Sequence, residues 1–148
     1  MDIREASPED RDWAAALLAG SDPWVRLDAT YPQCIEVCRD PRYEVHVAHV
    51  DGERCGVLIL QDKGLAGSPY LKSIAVAEPF RGKGVGGALM DFAEARFRGE
   101  SRHFFLCVSS FNDRARSFYE RRGYHPVGEL PDHVVDGAAE VLMRKRLR

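Results

Sequence analysis

Apolar and polar positions alternate through residues 43–50. Tyr43, Val45, Val47 and His49 share one side, and Glu44, His46, Ala48 and Val50 share the other, which predicts a β-strand. Asp51-Gly52 is a hairpin turn signal. The returning run 55–60 is nearly all apolar, as expected of a strand with neighbours on both sides. Residues 64–68 read as a loop, and 71–76 and 104–108 as two more apolar strands. Between those two strands Val85, Ala88, Leu89, Phe92, Ala93 and Phe97 fall on one broad helical face. Near the N-terminus, Ser7-Pro8-Glu9-Asp10 places an N-cap, a proline at the first helical position and acids in the first turn. That helix carries Trp13, Leu17 and Leu18 and stops near Gly20. A second helical region opens at Asp22-Pro23-Trp24 and runs to Cys38, with Pro32 disfavoured at its middle. Asn112 starts a helix that carries Ala115, Phe118 and Tyr119, and Gly123 ends it. Short strands at 2–4, 124–127 and 139–143 complete the set.

The predicted order is β-α-α-β-β-β-α-β-α-β-β. The strand–turn–helix–strand unit at 71–108 should be a right-handed parallel crossover flanked by antiparallel hairpins. An α/β (α+β) fold follows, a mixed sheet with helices on both faces. The chain has 148 residues, which predicts one domain spanning 1–148. Its 21 basic and 23 acidic residues give a net charge of −2, which argues against a general nucleic-acid or membrane-surface binder. Its four cysteines lack zinc-ligand spacing, so no metal is expected. They read as reduced thiols of a cytoplasmic protein. Residues 1–11 are charged and make no signal peptide, and no apolar run approaches a membrane span.

The densest chemical signal is the run Arg81-Gly82-Lys83-Gly84-Val85-Gly86-Gly87, set between a strand and a helix. Free backbone N–H groups at a helix start suit a phosphate. Gly82, Gly84 and Gly87 satisfy the dinucleotide pattern G-x-G-x-x-G. However, residues 77–81 separate them from the strand, and the next strand ends Cys107-Val108-Ser109-Ser110 with no acid to hold a ribose. A nucleotide P-loop is excluded because Gly87 is followed by Ala88-Leu89. A third pattern, R-x-x-G-x-G, is met by Arg81, Gly84 and Gly86.

Residues 74–90 as a whole resemble the central motif of the GNAT superfamily of acyl-CoA-dependent N-acetyltransferases. Asn112-x-x-Ala115-x-x-Phe118-Tyr119, followed by Gly123-Tyr124, is similar to that family's second motif. The two motifs stand in the family's order and cover about residues 71–125. The resemblance implies a GNAT-like mixed sheet whose parallel fourth and fifth strands splay apart. It implies acetyl-CoA as co-substrate and an amine as acceptor, either a small molecule or a protein amine.

Residue by residue, the resemblance assigns the pyrophosphate to the backbone of Gly82, Lys83, Gly84, Val85, Gly86 and Gly87, with Arg81 adding charge. The pantetheine arm would pair with Ile74, Ala75 and Val76, and Asn112 would bond to it from the other side. A backbone N–H near Ile74–Val76 would face the oxyanion. Tyr119, whose ordinary pKa of about 10 is near that of an alkyl thiol, would protonate the leaving thiolate. Some relatives that acetylate protein N-termini carry a glutamate base five positions before the motif asparagine; this chain has Cys107 there. The base is therefore open among His46, His49, Asp132, His133 and a water chain. Asp22, Trp24, Tyr31, Asp132 and His133 are expected to line the acceptor pocket, where an aromatic beside a carboxylate would suit a cationic amine. A non-catalytic acyl-CoA sensor is the alternative, with a dinucleotide-dependent oxidoreductase behind it. Whether the chain pairs as a homodimer stays open.

Overall fold

The computed structural model describes residues 1–22 and 24–148; Pro23, at the expected start of the second helix, lies outside the described residues. The elements are β1 (Asp2–Glu5), α1 (Pro8–Ala19), α2 (Tyr31–Arg39), β2 (Glu44–Val50), β3 (Glu53–Leu65) and β4 (Ser68–Val76). After a single 3-10 turn (Glu78–Phe80) come α3 (Val85–Arg98), β5 (His103–Ser109), α4 (Asp113–Arg121), β6 (His125–Leu130) and β7 (Glu140–Arg146). Their order is the expected one. The seven strands form one sheet in the order β1-β2-β3-β4-β5-β7-β6, with β4–β5 its one parallel pair among the described residues. No helix of the described residues is long and apolar enough to cross a membrane.

The helices divide between the two faces. Ala14, Ala15 and Leu18 of α1, with Cys34 and Cys38 of α2, pack on Val45, Val47, Val57, Ile59 and Ala75. Leu89, Met90, Ala93 and Phe97 of α3 pack with Tyr119 of α4 on the other face, against Leu58, Leu60, Leu71, Phe104 and Leu106. The run 55–60 is buried throughout because β3 has a strand on either side and helices above and below. Gly56 lets α3 lie close to the sheet: a Cβ there would stand 3.0 Å from Leu89 Cδ1 and 3.2 Å from the Ala75 carbonyl oxygen.

Two expectations change. Residues 64–68 are no loop, since β3 runs to Leu65, turns through Ala66-Gly67 and returns as β4 from Ser68. Gly64 resembled a loop glycine but serves close packing, because a Cβ on it would lie 2.6 Å from Tyr70 Cβ. The second helix starts at Tyr31 rather than near Asp22. Thr30 caps it, with Gln33 N donating to Thr30 Oγ1 (3.4 Å) and Thr30 N donating to Gln33 Oε1 (2.9 Å). Pro32 then falls in the first turn, where its missing N–H costs nothing. The N-cap expected at Ser7 is present, in a reciprocal capping box with Asp10.

One buried ionic cluster ties α3 to the C-terminal hairpin. Glu94 accepts from the Tyr124 hydroxyl (2.9 Å) and from Lys145 Nζ (2.7 Å). Arg98 and Arg122 each stand 3.9 Å from its carboxylate, and Arg122 also pairs with Asp91. Only 4% of the Glu94 side chain is exposed, so these partners stand in for water around its carboxylate.

Candidate active site

The parallel pair that should hold the site barely pairs. Tyr70 faces Phe105 and Leu71 faces Leu106, and the ladder ends there. It ends because β4 carries one surplus residue. Ile59 pairs with Ser73 but Leu60 pairs with Leu71, so Lys72 is a β-bulge. A bulge bends its strand and breaks pairing, and here it turns the rest of β4 away from β5. Ser73 Oγ donates to the Lys72 carbonyl at 2.8 Å, a side-chain bond at the bulge itself.

The slot so opened is lined on one side by backbone. Ala77 N–H bonds to the Cys55 carbonyl (2.9 Å). Antiparallel strands turn both backbone groups of alternate residues toward the same neighbour. Ala75 therefore faces β3, while Ile74 and Val76 present N–H and C=O toward β5. Of the three residues expected to pair with the pantetheine arm, two offer their backbone to the slot; Ala75 instead sends a buried methyl to the α1–α2 face.

At the outer end of β4 the glycine turn leads into α3. Gly82 (φ 74°) and Gly84 (φ 85°) occupy the left-handed region, which glycine alone adopts freely. Gly84 is the N-cap of α3 and has no side chain to satisfy it. The first helical bond is Ala88 N–H to the Gly84 carbonyl (3.1 Å), so the N–H groups of Val85, Gly86 and Gly87 lack intrahelical partners. With the positive end of a 14-residue helix behind them, they are a ready anion site. Gly86 leaves space beside Phe118 and Val76, and Gly87 beside Arg122. Lys83 is exposed. Arg81 folds back, its Nε donating to the Val76 carbonyl at 3.0 Å, which fastens the turn to the end of β4.

Across the slot stands α4. Asn112 is its N-cap, with Oδ1 accepting from Ala115 N–H (3.2 Å), an arrangement that leaves the amide NH2 group free to donate. Tyr119 is 7% exposed and packs edge-on to Phe118 (centroids 5.3 Å) and Tyr124 (5.9 Å). Burial alone raises its pKa above the ordinary tyrosine range, so the phenol is neutral at physiological pH.

Ile74, Val76, Arg81, Gly82, Gly84, Val85, Gly86, Gly87, Asn112 and Tyr119 line one open cleft of about 1510 Å³, while Lys83, also expected at the pyrophosphate, is not among its lining residues. That exceeds the roughly 300–1,000 Å³ of a single small-ligand pocket and leaves room for a long co-substrate and an acceptor together.

A family model for the acetyltransferase (GNAT) family matches residues 9–124, well over half of the chain. The chain belongs to the GNAT acetyltransferase family. It is 35% identical over 85 residues to the 5-NmdU N-acetyltransferase of Pseudomonas phage PaMx11, a match covering 57% of this chain and 59% of that one, less than two thirds of the phage enzyme. It is 30% identical over 118 residues to an uncharacterized N-acetyltransferase of Methanocaldococcus jannaschii, covering 78% of this chain and 68% of that one. Among solved structures, an aminoglycoside 6'-N-acetyltransferase complexed with coenzyme A superposes with a TM-score of 0.78, covering 100% of this chain and 98% of that one. At 18% identity that likeness is one of fold. The matching family is described as an acetyltransferase family, and both relatives are named as N-acetyltransferases.

In this GNAT chain the two faces of the sheet divide the cleft. Phe104, Leu106 and Val108 of β5 enter the α3–α4 core, so Cys107 and Ser109 turn to the opposite face. Tyr70 neighbours Cys107 there. Burial raises the Cys107 pKa and the Glu140 carboxylate adds to that, while the Tyr70 hydroxyl and Lys72 pull the other way; the net rise keeps it a neutral thiol. Burial, then the neighbouring Cys107 thiol, raises the Tyr70 pKa as well. Of the acceptor residues expected from sequence, Asp22, Trp24 and His133 line the cleft. Tyr31 and Asp132 do not; Tyr31 is exposed, and Asp132 accepts from Gly137 N–H (2.7 Å) within its own loop. Two candidate bases also lie elsewhere: His46 stacks on Phe92 of α3 (4.9 Å), and His49 sits beside Asp10 of α1 (3.9 Å). Tyr70 and Glu140 line the cleft without having been singled out in the sequence. They share no motif and meet only through the register of β4, β5 and β7.

Proposed function

We propose that the chain transfers an acetyl group from acetyl-CoA to a primary amine by direct attack in a ternary complex. The observation that carries this reading is one continuous cleft with the unpaired N-terminus of α3 at one end, the backbone of Ile74 and Val76 along its side, and Tyr119 among its lining residues. The N–H groups of Val85, Gly86 and Gly87, with Arg81 and Lys83 nearby, hold the pyrophosphate. Ile74 and Val76 pair with the amides of the pantetheine arm, and Asn112 donates to it from α4. Arg81 Nε bonds to the Val76 carbonyl, so that carbonyl becomes available as Arg81 turns to a phosphate.

In the reaction the acceptor ammonium first sheds a proton to solvent, and its nitrogen bonds to the thioester carbon. A slot-facing backbone N–H of β4 receives the oxyanion. The C–S bond breaks with its electron pair on sulfur, and Tyr119 gives that sulfur its proton. The second nitrogen proton returns to the tyrosinate through solvent. Direct attack is favoured because the Cys107 thiol is held neutral and so is a poor competing nucleophile.

Thermal unfolding with acetyl-CoA, NAD and ATP in parallel tests the binding half. Acetyl-CoA at one hundred times its dissociation constant should add about 2.7 kcal/mol, or roughly 5–10 °C in Tm for a chain of this size. Stabilisation by NAD and not by acetyl-CoA would sink the reading. Thiol release over a panel of amines, with the 5-NmdU of the phage relative's name among them, tests turnover. Acetyl-CoA binding with no thiol released for any amine would favour the sensor.

A further inference from the structure

The acetyl-transfer reading leaves the acceptor unheld. Four carboxylates line the cleft: Asp22, Asp28, Asp113 and Glu140. The three aspartates are exposed, and Asp22 already faces Arg26 at 3.8 Å. Glu140 is half-buried, on the face of the sheet that also carries Cys107 and Tyr70.

We propose that Glu140 docks the ammonium group of the acceptor and so selects cationic primary amines, supplying from β7 a carboxylate beside the β5 position where Cys107 stands. The proposal rests on the acetyl-transfer reading above. Glu140 opens β7 directly opposite Ser109, the last residue of β5. Ser109 Oγ donates to Glu140 Oε2 at 2.7 Å, and Ser109 is itself 3% exposed. Next to this pair, Ser110 N–H bonds to the Ala139 carbonyl (2.8 Å), and Ala139 N–H bonds to Ser110 Oγ (3.1 Å). Backbone register and three hydrogen bonds thus hold the carboxylate still, which a recognition group needs in order to act without an ordering cost.

With Oε2 engaged, Oε1 is left for a ligand. Among the described residues no lysine or arginine pairs with Glu140; Lys72, whose charge reaches this corner, lies over the Tyr43 ring, 6.0 Å from its centroid. A half-buried carboxylate without a cation is poorly compensated, and an ammonium from outside would complete it. Tyr70 and Trp24 add aromatic surface to the same cleft, which suits an alkylammonium.

The test is steady-state kinetics of the wild-type chain, Glu140→Gln, Glu140→Asp and Ser109→Ala, with benzylamine, cadaverine, tyramine, 5-NmdU and a peptide with a free N-terminus as acceptors. Glu140→Gln keeps the shape and an acceptor for Ser109 but removes the charge. It should raise KM for the amine about tenfold or more while KM for acetyl-CoA stays within about twofold. Glu140→Asp should recover part of that loss. Ser109→Ala, which leaves the charge but frees its carboxylate to swing, should raise the amine KM several-fold, and it decides the matter if Glu140→Gln fails to fold. An unchanged amine KM in a folded, acetyl-CoA-binding variant overturns the docking role and leaves the acetyl-transfer reading intact. So does an equal rise in both KM values. A wild-type chain that binds acetyl-CoA by calorimetry but acetylates none of the five amines overturns both.

Discussion

Replacing Tyr119 by phenylalanine should lower kcat by about a hundredfold or more, the usual scale for losing a general acid, and leave the acetyl-CoA dissociation constant nearly unchanged. The substitution is clean because burial alone accounts for the raised pKa of Tyr119; no protein hydrogen bond contributes. The main-chain role of Tyr119, whose carbonyl accepts from Arg122 and Tyr124 N–H (3.0 and 3.1 Å), survives in phenylalanine, so Tm should barely move. The pH profile gives a second check. A raised phenol pKa keeps the proton on Tyr119 at every pH below its ordinary value near 10, so the wild-type kcat should show no alkaline fall before that point. Full activity of Tyr119→Phe at saturating acetyl-CoA would remove Tyr119 from the chemistry.

The second large effect concerns stability. Glu94→Ala should destabilise the chain by about 3–5 kcal/mol, because it leaves the Lys145 ammonium and the Tyr124 hydroxyl without their shared acceptor. For a chain of this length that is on the order of 10 °C in Tm, readable by calorimetry or urea unfolding. Replacing Glu94 by leucine together with Lys145 by methionine removes both charges and should recover much of the loss. A double variant as unstable as Glu94→Ala would mean that packing, and not the uncompensated ammonium, sets the penalty. The cluster joins the middle of α3, whose first turn offers the anion site, to β7 and to the segment just after α4. Loosening it should therefore also weaken acetyl-CoA binding.

What was legible in the sequence was whatever local chemistry decides. Glycines at positive φ, a helix start without a capping side chain, and an asparagine cap six residues ahead of an aromatic pair are each written in short local runs. The structure gathers Gly84, Val85, Asn112 and Tyr119 around one cleft. The order of elements along the chain, and a mixed sheet with helices on both faces, followed from alternation, helical spacing and the crossover rule. Misreadings came where one residue type has two uses. Gly64 marks a close approach to Tyr70 rather than a turn, and Pro32 opens a helix rather than interrupting one. The acceptor side was hardly legible, because it is assembled by register: Ser109 and Glu140 lie 31 residues apart and meet only because β7 inserts between β5 and β6. The histidines were natural candidates for a base by type, but nothing in a linear pattern shows that His46 turns to Phe92 and His49 to Asp10.

The surplus residue Lys72 has a consequence for how such a chain can change. Leu71, Ile74 and Val76 all send their side chains to the α3 side, although strict alternation from Leu71 would send Ser73 and Ala75 there instead. Lys72 is therefore a parity switch. Remove it from the count, and Leu71, Ile74 and Val76 fall into simple odd-even order along an unbent strand, with every apolar partner on its proper side. The apolar positions are thus compatible with a straight strand, and the gap beside β5 begins where the extra residue stands. The capacity to admit a ligand and the capacity to stay folded are thus encoded separately, and loss of one codon could seal the seam while sparing the hydrophobic interior.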